Sequence, residues 1–240
     1  MTNLVESLSH REIDHSNLTA ESFWDVHIAN MPFYHGTSSV SLPQIRTVGL
    51  SPDYRLYPQS DAQSLASILT SSGDRNYFEE VSAERKIYIG TDLSRCIEYA
   101  QKGSEFMGEM FDQVNWLLEN GYEDSELFSG IKQRLSKYFE MHTPALLVID
   151  SASPVVRGAI QKNHPQLFEW MINRDAFVKE VNSDAYPKQY SEESNAWCVL
   201  DQMEEEFVDL AIEGVIPPAD FQIIEGKDFQ ELAKIATGLK

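Results

Sequence analysis

Apolar positions in this 240-residue chain switch repeatedly between helical and strand spacing. Residues 19–30 read as an amphipathic helix. Thr19 is the N-cap, Phe23, Val26 and Ile28 turn to the core, and Pro32 ends it. Phe33-Tyr34-His35 is a short strand broken by Gly36. Residues 41–48 form a helix capped by Ser41, with Pro43 in its first turn and Gly49 at its close. Residues 51–85 are polar and proline-bearing, which predicts a long loop with one short helix near 61–69. Loops of this length in compact domains serve as lids or binding loops.

Residues 86–90 read as a strand, and Asp92 caps a helix over 93–102. Residues 105–119 and 123–141 are strongly helical, separated by Gly121. The unbroken apolar run 145–149 is a buried strand. Residues 164–173 are helical. Residues 196–200 and 207–212 alternate as strands, and Pro217-Pro218 halts the second. A strand at 221–224 and a helix at 229–236 complete the chain. Strands and helices mix without regular βαβ alternation. The expected class is therefore α+β, with antiparallel or split sheets flanked by helices. Residues 1–18 are expected to be a loose arm before a single domain over 19–240, with a helical insertion at about 103–141.

A hydrophobic content of 42% supplies a sizeable core, and 19 Lys and Arg against 38 Asp and Glu give a net charge of −19. Such a chain repels phosphate backbones, so nucleic acid is a poor partner and a basic protein a better one. Cys96 and Cys198 form no CxxC, and no His lies at zinc-ligand spacing from either, so no metal site is expected. The N-terminus lacks a cationic start and an apolar core, and no apolar run reaches a membrane span. The reading is a cytoplasmic chain, or one exported as an effector without a cleavable signal.

His35 at a strand end, Tyr88 in an apolar strand and Tyr99 on a helix are each ordinary packing residues when taken singly. Their joint context is not ordinary. A glycine after His35 exposes backbone N–H and C=O where a primary amide pairs with both. Two tyrosines eleven positions apart across a strand, turn and helix lie on opposite sides of one flat ring, a stack worth about 0.5–1.5 kcal/mol per pair. A flat aromatic amide joined to ribose, as in the nicotinamide of NAD, suits such a pocket.

On these residues the chain resembles the ADP-ribosyltransferase superfamily in its His-Tyr-Glu branch, which includes diphtheria-type toxins and the poly- and mono-ADP-ribosyl polymerases. His35-Gly36-Thr37, followed by a helix containing Ile45 and ending Gly49-Leu50, matches the first motif, and Tyr88 and Tyr99 fall at the family spacing. The likeness covers roughly 32–52 and 85–102 well and 195–224 loosely. Residues 103–190 match nothing. The resemblance implies that His35 bonds a ribose hydroxyl of the adenosine half and that Gly36 clamps the carboxamide. Thr37 stands near the adenine ribose, Tyr99 stacks on nicotinamide, and Tyr88 faces it or braces the ribose. The loop 51–85 corresponds to a lid.

Two departures stand out. Cys96 occupies the position where the polymerases place a serine on the carboxamide oxygen, and a thiol is the weaker donor. The family also needs a carboxylate at the start of a late strand, to hold the 2′-hydroxyl and stabilise charge as nicotinamide leaves. If the strand starts at Phe207, that carboxylate is Glu206. If Val215-Ile216 marks its exit, the offset points to Asp209. Glu206 is preferred, and a run of three acids at 204–206 also reads as a solvated helix end.

The implied function is NAD-dependent mono-ADP-ribosyl transfer to a macromolecule, a protein being favoured, with NAD as donor substrate. The competition between Glu206 and Asp209 and the presence of Cys96 motivate the alternative, an inactive fold that binds NAD, ADP-ribose or a partner.

Overall fold

The computed structural model describes residues 18–54, 56–69, 85–122 and 125–237. The N-terminal arm, save Leu18, and residues 70–84 of the expected lid fall outside them.

β3 (Pro144–Ile149) explains its own apolar run. It is the middle strand of an antiparallel sheet ordered β1-β3-β5, between β1 (Phe33–Ser38) and β5 (Phe221–Glu225). Leu147 packs into the main core on one face, and Leu146 into a smaller core on the other. A strand covered on both faces has no polar side to alternate with. A second antiparallel pair joins β2 (Ile87–Ile89) to β4 (Leu210–Ile212), with Tyr88 opposite Ala211. The architecture is α+β with two small antiparallel sheets.

The sheets meet at one bridge. The Tyr34 amide donates to the Gly90 carbonyl at 2.7 Å, and the Gly90 amide returns the bond at 3.0 Å. Beyond it they part. Gly90 is needed here: a Cβ would lie 2.2 Å from the Val208 carbonyl oxygen, inside any tolerable contact.

On one side of the larger sheet lie α1 (Ala20–Phe23, continuing as a π-helical turn through Trp24–Ile28), α7 (Pro154–Asn163), α8 (Pro165–Ile172), α9 (Arg174–Val181) and α10 (Glu192–Glu206). Thr19 caps α1, as its spacing predicts, and Phe23 and Ile28 are buried, while Val26 is only half-buried. On the other side α4 (Leu93–Lys102) and α11 (Gly226–Thr237) cover Leu146 and Ile224. Between them in sequence come α2 (Leu42–Val48), α3 (Gln59–Ile68), α5 (Glu105–Glu119) and α6 (Ser125–Met141). The α5–α6 hairpin fills the segment where a helical insertion is expected, and it shares an apolar core with α3 around Leu65, Phe106, Met110, Phe128 and Ile131.

Three sequence expectations need correction. Gly36 does not break β1, which runs on to Ser38. Ser41 makes no side-chain capping bond and is buried. The apolar stretch 196–200 is helical, not extended. Ser191 accepts the Ser194 amide as N-cap, and Ala196, Val199, Leu200 and Met203 are buried at helical spacing. Trp197 and Cys198 filled the gaps that made the stretch look like a strand. Because α10 continues through Glu206, β4 starts only at Leu210 rather than at Phe207.

Candidate active site

A cavity of about 330 Å³ opens where the two sheets part, a size within the range of small-molecule sites. His35, Gly36, Thr37, Tyr88, Cys96, Tyr99 and Asp209 all line it. Glu206, the preferred carboxylate, does not. It closes α10, with its carboxylate 3.6 Å from His164 Nδ1, while Asp209 stands immediately before β4. The longer helix is the reason, since the strand expected to carry Glu206 inward from Phe207 begins three residues later, at Leu210.

The two sheets are tied at the cavity by a side chain. His35 Nδ1 lies 2.8 Å from the Tyr88 carbonyl oxygen. A carbonyl only accepts, so Nδ1 carries the proton and donates. In the neutral ring Nε2 is then an acceptor. Desolvation holds the imidazole below its ordinary pKa, partly offset by the Tyr88 bond, so the neutral form is favoured.

Gly36 serves two purposes. A Cβ there would lie 2.2 Å from the Cys96 carbonyl oxygen and 2.7 Å from the Ala100 nitrogen. Only glycine lets α4 press this closely on β1. Its polar groups also face the split. Tyr34 spends both backbone groups on Gly90, and hydrogen-bonding direction alternates along a strand. His35 and Thr37 therefore bond toward β3, whereas Gly36 presents N–H and C=O on the side where β2 has diverged. The Gly36 backbone and Arg95 are the two influences that favour a Cys96 thiolate.

Burial, reinforced by Asp92 and Asp209, pushes the Cys96 thiol up to about 12. It is a neutral S–H, 3.5 Å from the Tyr34 carbonyl oxygen to which it donates. Such a thiol is a weak donor and no nucleophile.

On the far wall Tyr99 is held by a residue that the sequence reading passed over. Arg95, one turn earlier on α4, donates from Nε and Nη2 to the Tyr99 hydroxyl at 3.1 and 3.0 Å. Nη2 also reaches Asp209 Oδ2 at 2.7 Å. The i, i+4 spacing of Arg95 and Tyr99 was the available signal. Glu98, by contrast, is exposed.

Two further aromatics were also missed. Tyr54 and Tyr57 line the cavity from the segment after α2. Burial raises the Tyr54 hydroxyl pKa, and the Tyr57 ring lies 4.9 Å from that of Phe106 in the insertion. Asp61, on the α3 helix that follows this segment, is tied to α6. It is buried, and Arg134 of α6 grips it with Nε at 3.0 Å and Nη2 at 2.8 Å.

Among the described residues no three His, Cys, Asp or Glu side chains are disposed around a metal ion, and no helix is long and apolar enough to cross a membrane. Comparison with protein-family models, curated proteins and solved structures returns no match.

Proposed function

We propose that the protein is a mono-ADP-ribosyltransferase of the His-Tyr-Glu type, taking NAD as donor and a protein as acceptor. The observation that carries this is the convergence of His35, Gly36, Tyr88, Tyr99 and one carboxylate, Asp209, on a single cavity at the split between two antiparallel sheets. The edge groups of Gly36 suit a primary carboxamide, which needs one donor and one acceptor side by side. Nε2 of the neutral His35 accepts from a ribose hydroxyl. Tyr99 and Tyr88 provide faces for the pyridinium ring.

In this reading the bond between C1′ and the nicotinamide nitrogen breaks, and its electron pair leaves with nicotinamide. Positive charge spreads over C1′ and the ring oxygen of the ribose. Asp209 holds the 2′-hydroxyl and offsets that charge. An acceptor nucleophile then bonds to C1′ and gives up its proton to solvent. Asp209 is one methylene shorter than the family's glutamate, which predicts a slow turnover.

Nicotinamide release from NAD, with basic proteins supplied as acceptors, tests the proposal. Wild type should release nicotinamide. Asp209→Asn should lower the rate by about 10²–10³-fold, and Glu206→Gln should leave it within about twofold. No release by wild type above the enzyme-free rate would rule the transferase out.

The second reading, binding without turnover, is favoured by one observation: Arg95 already pairs with Asp209. It expects NAD binding by calorimetry with no nicotinamide produced.

A further inference from the structure

We propose that Arg95 is a positioning residue for the donor site, fixing Tyr99 and Asp209 with one guanidinium. The proposal rests on the NAD reading above.

The geometry is specific. Nε and Nη2 fork onto the Tyr99 hydroxyl at 3.1 and 3.0 Å, and Nη2 also takes Asp209 Oδ2 at 2.7 Å. The guanidinium carbon lies 5.6 Å from the Tyr99 ring centre. Tyr99 belongs to α4 and Asp209 to the approach to β4, so Arg95 links the helix to the strand across the cavity wall. Arg95 and Asp209 side chains are 40% and 43% exposed. Ion pairs that open to solvent add little stability. What the arrangement supplies is direction: a planar fork leaves each partner one orientation, whereas a lysine ammonium is a point charge with no such plane.

Asp209 has two carboxylate oxygens, and Arg95 engages Oδ2. Oδ1 is the oxygen that remains to meet a 2′-hydroxyl. Tyr99, held by its hydroxyl, keeps its ring plane for stacking. The two effects separate in kinetics. Tyr99 acts on the bound ground state and hence on NAD affinity. Asp209 acts on the developing charge and hence on the rate of nicotinamide release.

The experiment compares wild type, Arg95→Met, Arg95→Lys, Asp209→Asn and the double variant Arg95→Met/Asp209→Asn. Nicotinamide release gives kcat and calorimetry gives the Kd for NAD, with circular dichroism and thermal unfolding to establish that each variant is folded. Arg95→Met should weaken NAD binding about threefold to tenfold and lower kcat about tenfold or more. Arg95→Lys should recover part of kcat, because its charge still reaches Asp209, and little of the Kd. In the Asp209→Asn background, Arg95→Met should no longer lower kcat, while its effect on Kd persists.

An active wild type whose kcat and Kd change less than twofold in Arg95→Met overturns the proposal, and so do fully additive losses in the double variant. A wild type that neither binds NAD nor releases nicotinamide removes the NAD reading and this inference with it, a result distinct from either of those.

Discussion

His35 Nδ1 donates to the Tyr88 carbonyl oxygen at 2.8 Å, so the first motif's histidine is bonded to the backbone of the second motif's tyrosine. This bond spans the point where the sheets separate, and it leaves Nε2 as the ring's acceptor nitrogen. Protonating Nε2 would remove its acceptor lone pair and charge a desolvated ring.

The sign of the pH effect follows. The folded pKa of His35 is depressed below 6.5, so the unfolded chain binds the proton more readily. The stability from His35 is complete above the unfolded value and is lost as pH falls through 6.5 to the folded value. Chemical denaturation between pH about 7.5 and about 5 should show this decline, and His35→Gln should flatten it. NAD affinity should weaken over the same interval in wild type.

Gly36→Ala should be costly in stability as well as binding. The new methyl would meet two backbone atoms of α4, which no rotamer relieves. A loss of about 3 kcal/mol in denaturant unfolding is expected, at the upper end for overpacking. An alanine variant of wild-type stability would show that α4 can move off β1.

The two cysteines should differ sharply in reactivity. Cys198 is exposed, while Cys96 is buried with its thiol pushed to about 12. Alkylation near pH about 8 should label Cys198 in the folded protein and Cys96 only after unfolding, as read by peptide mass spectrometry. Cys96→Ser should tighten NAD binding by about fivefold, the worth of one improved hydrogen bond.

The Asp61–Arg134 fork should govern the aromatic wall at a distance. Asp61→Ala leaves Arg134 without its partner and frees α3 from the hairpin. Because Arg134 is half-exposed, the expected destabilisation is about 1–3 kcal/mol, below that for a fully buried pair. NAD affinity should fall too, since Tyr54 and Tyr57 precede α3 and line the cavity. Unfolding curves and calorimetry on the same variant read both effects.

Much of the fold was legible because local rules were decisive there. Asp92 accepts the Arg95 amide and starts α4 where the pattern places it, and β3 sits where the unbroken apolar run requires. Residues 196–206 were not legible in the same way. An apolar run of five fits a strand or a buried helix equally until its neighbours are known. The Ser191 cap and burial against α1 and α9 decide for helix.

That single element carries the assignment of the carboxylate with it. Local sequence placed His35, Gly36, Thr37, Tyr88, Cys96 and Tyr99 within two short motifs, where spacing along a strand, turn and helix fixes relative position. The carboxylate comes from more than a hundred residues downstream, and no local spacing relates it to them. Whether Glu206 or Asp209 reaches the cavity depends on where α10 ends, and α10 ends where Phe207 is buried beside Phe33 at 5.6 Å. The sequence by itself determined the motif half of the site. Tertiary packing alone decided which carboxylate reaches the cavity and which arginine holds it, because long-range pairing is set by the core and not by periodicity.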